Sequence, residues 1–228
     1  MEQIAPGIHR WTAPHPTWRT SVENVVSYAL VDSDALIVVD PQLPSANDVR
    51  RAPLLARLDE MTAAANRLEL LITMPNHARS AESLYERYWD SLPTCIWGHA
   101  GVKLRLTRHA PLQQIPLTPN STAVEIADGC ALAFAIGKPR RSETPLYFPR
   151  LHAVAFGDAV VGTEGGLRFW NQSSSASAEW YRDVFAATLR PLLERDIEHV
   201  LVAHGPCVIG DGRRSLEEGL AADPVSMY

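Results

Sequence analysis

Activating water on zinc needs three or four ligands drawn from histidine, cysteine, aspartate and glutamate, and covalent catalysis needs a serine or cysteine beside a base. Neither pattern shows in the local spacing of this 228-residue sequence. Cys95, Cys130 and Cys207 stand far apart with no CxxC or CxxH, so they read as reduced packing residues. No G-x-S-x-G elbow marks a serine hydrolase. His9, His15, His99, His109, His152 and His199 are scattered and read as packing or surface residues. Any chemistry must come from residues that the fold gathers.

The elements that would gather them are legible. Ile8–Trp11, Asn24–Val31 and Ala35–Asp40 are rich in β-branched and aromatic residues, and the turn Asp32-Ser33-Asp34 joins the last two as a hairpin that Pro41 ends. From Ser45, a candidate cap, to about Ala65, the residues Val49, Leu54, Leu55, Leu58 and Met61 recur at helical spacing. Leu68–Thr73 reads as a buried strand, Arg79–Tyr88 as a second helix and Thr94–Trp97 as a strand, which gives βαβ units. Leu112–Phe156 reads as an antiparallel meander, Ser173–Ser175 as a loop, Ala178 to about Arg195 as helix, Val200–Ala203 as strand and Arg214–Leu220 as a final helix.

With 46% apolar and 21% charged residues the chain can bury a sizeable core, and its length is expected to form a single domain over 1–228. The net charge of −5 argues against a nucleic-acid partner. No apolar run approaches the roughly 20 residues that span a bilayer, and the start lacks a basic stretch followed by an apolar core, so no membrane partner and a cytoplasmic location are expected. A homodimer face at a sheet edge or aromatic rim stays open.

Five segments in order, the Pro6-Gly7-Ile8-His9 strand, the Ser27–Asp40 hairpin, Leu70-Leu71-Ile72-Thr73, Phe156-Gly157-Asp158-Ala159 and Val200–Pro206, resemble the metallo-β-lactamase superfamily over nearly the whole chain. The resemblance implies an α/β fold, an αββα sandwich of two mixed β-sheets flanked by helices. In that family the segment after the central strand reads T-H-x-H-x-D-H; here it is Thr73-Met74-Pro75-Asn76-His77-Ala78-Arg79. Met74, Asn76, Ala78 and Arg79 thus replace all four ligands, and His77 falls on a variable position. Where the family has a third histidine this chain reads Ile136-Gly137-Lys138-Pro139-Arg140-Arg141, with Lys138 as the nearest match. The last two ligand positions are kept, as Asp158 and His204.

Two ligands are too few for a catalytic zinc site. The resemblance therefore implies first a divergent, zinc-free protein that binds or transforms a small, anionic molecule, with Asp158 and His204 as catalytic residues. Arg79, Lys138, Asn76, His77 and Trp170 are then the ligand-binding residues, and Arg79 is expected to pair with the stranded Asp158 carboxylate. The alternative is a mononuclear zinc hydrolase of an ester, thioester or lactone with His77, Asp158 and His204 as ligands. A third reading makes His204 a general base oriented by Asp158. Asp40 is expected to hydrogen-bond backbone near the site loops, and Glu143 to pair with one of the arginines. Arg140 and Arg141 are expected in a solvated turn. Trp11, Trp18, Trp97 and Trp170 are candidates to wall the cleft, with Gly165–Trp170 as an exposed lid.

Overall fold

The computed structural model describes residues 1–15, 24–107, 110–118, 121–138, 140–171 and 176–226. Trp18, His109 and Ser173–Ser175 lie outside the described residues. The chain divides into two compact units, Met1–Ile115 and Pro116–Tyr228.

The first unit is built on one seven-stranded sheet whose strands lie in chain order: β1 (Glu2–Ala5), β2 (Ile8–Pro14), β3 (Asn24–Asp32), β4 (Ala35–Val39), β5 (Arg67–Ile72), β6 (Thr94–Gly98) and β7 (Leu112–Gln114). Pairings from β1 to β4 are antiparallel and those from β4 to β7 parallel, and the parallel β4–β5 and β5–β6 pairings need helical crossovers. Helices α1 (Arg51–Ala63) and α2 (Ala81–Tyr88) are those crossovers. Every residue of β4 is buried, as expected of a strand apolar on both faces. Leu36, Val38, Leu68, Leu70, Ile72 and Ile96 form one face of the sheet and pack with Leu54, Leu58 and Met61 of α1 and with Ala81, Leu84 and Tyr88 of α2.

Two boundaries differ from expectation. The first helix starts at Arg51 rather than Ser45, whose carbonyl instead accepts the Asp48 N–H in a turn, and this leaves Val49 88% exposed. Pro53, with no N–H to satisfy, suits the first helical turn. The strand at Leu112 does not begin the meander. It pairs parallel with β6 and closes the first unit's sheet.

The second unit has a six-stranded sheet and a separate hairpin. β8 (Ala123–Ile126), β9 (Ala131–Phe134), β10 (Leu146–Phe148) and β11 (Ala153–Phe156) form the antiparallel meander. β12 (Val160–Thr163) and β13 (Gly166–Phe169) make the hairpin. β14 (His199–Val202) then joins β11 in parallel, and β15 (Val208–Ile209) adds an antiparallel edge. The helical segment between β13 and β14 opens as α3 (Ala178–Trp180), capped by the Ser177 hydroxyl accepting the Trp180 N–H at 3.1 Å. It widens over Tyr181–Phe185 and tightens over Ala186–Glu194, where Pro191 has no N–H for a regular helical bond. The last helix is α4 (Gly212–Ala221). Phe134, Phe156, Phe169, Tyr181, Phe185, Leu189 and Leu216 form this unit's core. No helix among the described residues is long and apolar enough to cross a membrane.

One polar brace ties the two helices of the first unit. Arg87 donates from Nε and Nη2 to the two Asp59 carboxylate oxygens at 2.9 and 2.6 Å, and the Tyr88 hydroxyl donates to Asp59 Oδ1 at 2.8 Å. The Arg87 hydrogen bonds hold the Asp59 carboxyl below its ordinary pKa, while burial and then Asp59 push Tyr88 up to about 12. A carboxyl depressed in the folded state stabilises above its unfolded pKa and loses that contribution as pH falls through the folded one. We expect Asp59→Asn to cost on the order of 0.5–1 kcal/mol at neutral pH, discounted for the pair's solvent exposure. The cost should vanish in urea titrations run progressively below pH 4, and a pH-independent difference would assign the loss to packing.

Candidate functional site

Two clusters of buried polar side chains form, one in each unit. In the first unit the parallel register of β4 and β5 sets Val39 beside Leu71, so the residues just past both strands, Asp40 and Thr73, become neighbours. Asp40 has a left-handed backbone with φ of 47°, a conformation that costs energy in a non-glycine residue. The Ser27 hydroxyl donates to its carbonyl at 2.8 Å and accepts the Gln42 N–H at 2.9 Å, which pins the turn. The Asp40 carboxylate then takes up a three-way role. Its Oδ1 accepts the Thr73 N–H at 2.8 Å, and its Oδ2 meets the Thr73 hydroxyl at 2.5 Å and His77 Nδ1 at 2.8 Å.

His77 ends the single tight turn Pro75–His77 and is 3% exposed. A carboxylate accepts only, so the short Asp40 contact requires the proton on Nδ1 and leaves Nε2 with its lone pair. Sequence reasoning places Asp40 against backbone, and the Thr73 N–H fits that. The direct contact to His77 has no signal in local spacing. Asn76, by contrast, is exposed and accepts from Arg105 Nη2 at 2.6 Å through its Oδ1. Arg79 also has positive φ, at 34°, and its guanidinium nitrogens are shielded from solvent. Ser80 ties this loop back to the end of β4: its N–H donates to the Pro41 carbonyl at 2.9 Å and its hydroxyl accepts the Leu43 N–H at 3.0 Å.

In the second unit Asp158 occupies the turn between β11 and β12, and His204 follows β14, the parallel neighbour of β11. Their side chains meet, with His204 Nε2 3.3 Å from Asp158 Oδ1 and both residues buried. That separation is long for a charge-assisted hydrogen bond, which prefers about 2.7–2.9 Å. It matches the edge of about 3.3 Å between two donors each about 2.0–2.1 Å from one tetrahedral ion.

The Asp158 turn is gripped from behind. Glu143 Oε1 accepts the N–H groups of Gly157 and Ala159, each at 3.0 Å, on either side of Asp158. Arg140 stands 3.5 Å from Glu143 Oε2, donates from Nη2 to the Trp170 carbonyl at 2.8 Å and lies 5.8 Å from the centre of the Trp170 ring. Trp170 in turn meets His204 edge-on at 5.4 Å. The expectation of a solvated Arg140 is corrected here. With 6% exposure it is buried, because Glu143 and the Trp170 carbonyl and ring replace water; Arg141 is exposed. The exposed lid is corrected too, since Leu167, Phe169 and Trp170 are 1%, 1% and 3% exposed and the first two sit in the core. Lys138 is exposed.

Other candidates have structural surroundings. Trp11 Nε1 donates to the Gln42 carbonyl at 2.8 Å and Trp97 Nε1 to Glu69 at 2.8 Å. Burial lowers the pKa values of His9 and His199, and His99 Nδ1 accepts the Gly101 N–H at 3.0 Å. Cys95, Cys130 and Cys207 form no disulfide among the described residues.

No protein-family model matches the sequence, and no curated protein does. Solved structures do. A metallo-β-lactamase from Erythrobacter litoralis, with β-mercaptoethanol in its active site, aligns with a TM-score of 0.66 at 14% identity, covering 96% of this chain and 93% of that one. DIM-1 metallo-β-lactamase exposed to ceftazidime gives 0.62 at 13% identity, with 96% and 94% covered. The chain has the metallo-β-lactamase fold. FIM-1 from Pseudomonas aeruginosa, a metallo-β-lactamase in its mono-zinc form, aligns at 0.61 with 14% identity, covering 96% and 91%. The five sequence segments thus pointed to the right fold, with its mixed sheets and flanking helices.

Within this metallo-β-lactamase fold, His204 depends on a backbone approach that only glycine permits. Gly162 donates its N–H to the His204 carbonyl at 2.9 Å, and a Cβ on Gly162 would meet the Pro206 carbonyl oxygen at 2.0 Å. A Cβ on Gly205, whose φ is +80°, would meet the Gly162 carbonyl oxygen at 1.9 Å. We expect Gly162→Ala to cost about 1–3 kcal/mol in chemical denaturation, because backbone rather than a flexible side chain must move. Gly165→Ala, where a Cβ would first meet an Arg168 side-chain nitrogen at 3.4 Å, should be close to neutral.

Proposed function

We propose that this protein is a metal-dependent hydrolase with a mononuclear centre held by His77, Asp158 and His204, acting on an ester, thioester or lactone. The observation that carries the reading is the His77–Asp40 contact at 2.8 Å, which gives a buried imidazole the tautomer a metal ligand needs. The His204–Asp158 separation supports it, since two of the three donors already stand at the distance that one ion imposes. Two imidazoles and one carboxylate are a donor set suited to zinc, and FIM-1 has the same fold in a mono-zinc form. The reading requires both units to work as one domain of 228 residues.

When bound, zinc supplies a Lewis acid and lowers the pKa of coordinated water toward neutrality. The chain's own residues set the geometry. Asp40 holds His77 by Nδ1 and keeps Nε2 directed to its task, while Glu143 fixes the turn that presents Asp158. Trp170 limits the rotation of His204. In this reading Arg79 and Lys138 would supply positive charge for an anionic group on the substrate, with Asn76 as a further polar contact to it. The substrate is a small molecule.

The test is elemental analysis of protein purified without a histidine tag or chelator, with zinc titrations of wild type, His77→Ala and Asp40→Asn. We expect close to one zinc per chain in wild type and loss of binding in His77→Ala. Asp40→Asn, which removes the acceptor that orients His77, should weaken binding roughly 10–100-fold. Hydrolysis of a panel of esters, thioesters and lactones should fall in parallel. Wild-type protein that takes up no metal but binds carboxylates or phosphates would overturn the hydrolase reading in favour of a metal-free anion pocket.

A further inference from the structure

Three side chains, Glu143, Arg140 and Trp170, link Asp158 to His204 in a ring of contacts within the second unit. From Asp158 the path runs through the flanking N–H groups of Gly157 and Ala159 to Glu143, and from Glu143 to Arg140. Arg140 continues it by hydrogen bond and ring contact to Trp170, and Trp170 by ring contact to His204, which returns to Asp158 at 3.3 Å. Arg140, Glu143 and Trp170 are 6%, 2% and 3% exposed.

We infer that Arg140 and Glu143 are positioning residues that set the Asp158–His204 pair in its working geometry before any metal arrives. Burying an ion pair is poor value for stability alone, since an apolar pair of similar volume usually does as well or better. What an apolar pair lacks is direction. The Glu143 carboxylate accepts two N–H groups at once, which fixes the peptide planes on both sides of Asp158 and so aims its side chain. Arg140 neutralises that carboxylate and uses its planar fork on a second target, the Trp170 carbonyl, with the guanidinium also lying over the indole. Lysine has the charge but neither the fork nor the flat face.

The two functions divide cleanly between the partners. Glu143 acts on the Asp158 turn, and Arg140 acts on His204 through Trp170. Because one residue carries the charge that compensates the other, the placements of the two donors are coupled. This inference rests on the proposed role of Asp158 and His204 as donors, but the geometry it concerns belongs to the metal-free chain.

The experiment uses the full chain and reads His204 directly. In metal-free protein, the imidazole proton–nitrogen resonances of His204 are assigned by their absence in His204→Ala. Arg140→Met leaves Glu143 buried without its cation and can fail to fold, so the decisive variant is Arg140→Met/Glu143→Gln, which removes both charges together; circular dichroism establishes folding. We expect the His204 resonances, sharp in wild type, to shift or broaden in the double variant, and Arg140→Lys to restore them only in part. Zinc affinity, by competition with a chelator, should fall about 10–100-fold in the double variant. Unchanged His204 resonances in the folded double variant overturn the inference, whatever the metal result. Should wild type bind no zinc, the hydrolase reading falls, and the resonances alone decide the positioning role.

Discussion

A buried carboxylate that can only accept hydrogen bonds governs each half of this molecule's polar interior. Asp40 in the first unit and Glu143 in the second both sit where burial makes an unmet lone pair costly, and both meet that cost with donors belonging to a neighbouring loop. The donors are what matters. Asp40 draws in Thr73 and His77, and Glu143 draws in the backbone on either side of Asp158, so that satisfying one acid fixes the position of another functional group. Parallel pairing makes this possible, because β4 beside β5 and β11 beside β14 bring loops from distant sequence to a common end of each sheet.

The backbone at these ends is held in conformations that an ordinary turn would relax. Asp40 and Arg79 have positive φ, and Gly162 and Gly205 meet with no room for a side chain. Each such position costs stability that the surrounding sheet must supply. The supply is visible in the continuous burial of β4, β11 and β14, whose residues are apolar on both faces apart from His199. Rigid strands and strained ends are therefore two sides of one arrangement: the sheet holds the ends, and the ends hold the polar groups.

The sequence shows most of this fold and less of its site, for physical reasons. Strands such as Ala35–Val39 and Ala153–Phe156 announce themselves because each is a short apolar run between turn residues. The start of the first helix is missed because Val49 continues the helical spacing although the chain there is an exposed loop. Leu112 is misplaced because a three-residue strand carries no information about which neighbour it pairs with. Asp158 and His204 are legible from the small residues around them, Gly157-Asp158-Ala159 and Ala203-His204-Gly205, which resemble those of known proteins. Arg140 is not, since an arginine in a polar turn reads as solvated until Glu143 and Trp170, 3 and 30 residues away, are seen to enclose it.

Charge bears on how the proposed centre would work with so altered a set of residues. By the resemblance in the sequence, Met74, Asn76, Ala78 and Arg79 stand where metal ligands would be expected, so the proposed centre would have almost no donors for a second ion there, and a carboxylate such as Asp158 would lack a divalent neighbour. A protein can restore that balance with fixed cations, whose positions do not depend on metal supply. Arg140 does so for Glu143 inside the second unit, at the cost of burying a guanidinium. Arg79, with guanidinium nitrogens shielded from solvent, has the same chemistry available in the first unit. In the proposed reading, fixed guanidinium groups within each unit would supply electrostatics that a second ion would otherwise provide, and His77, held by Asp40, would already carry the tautomer that a metal ligand needs.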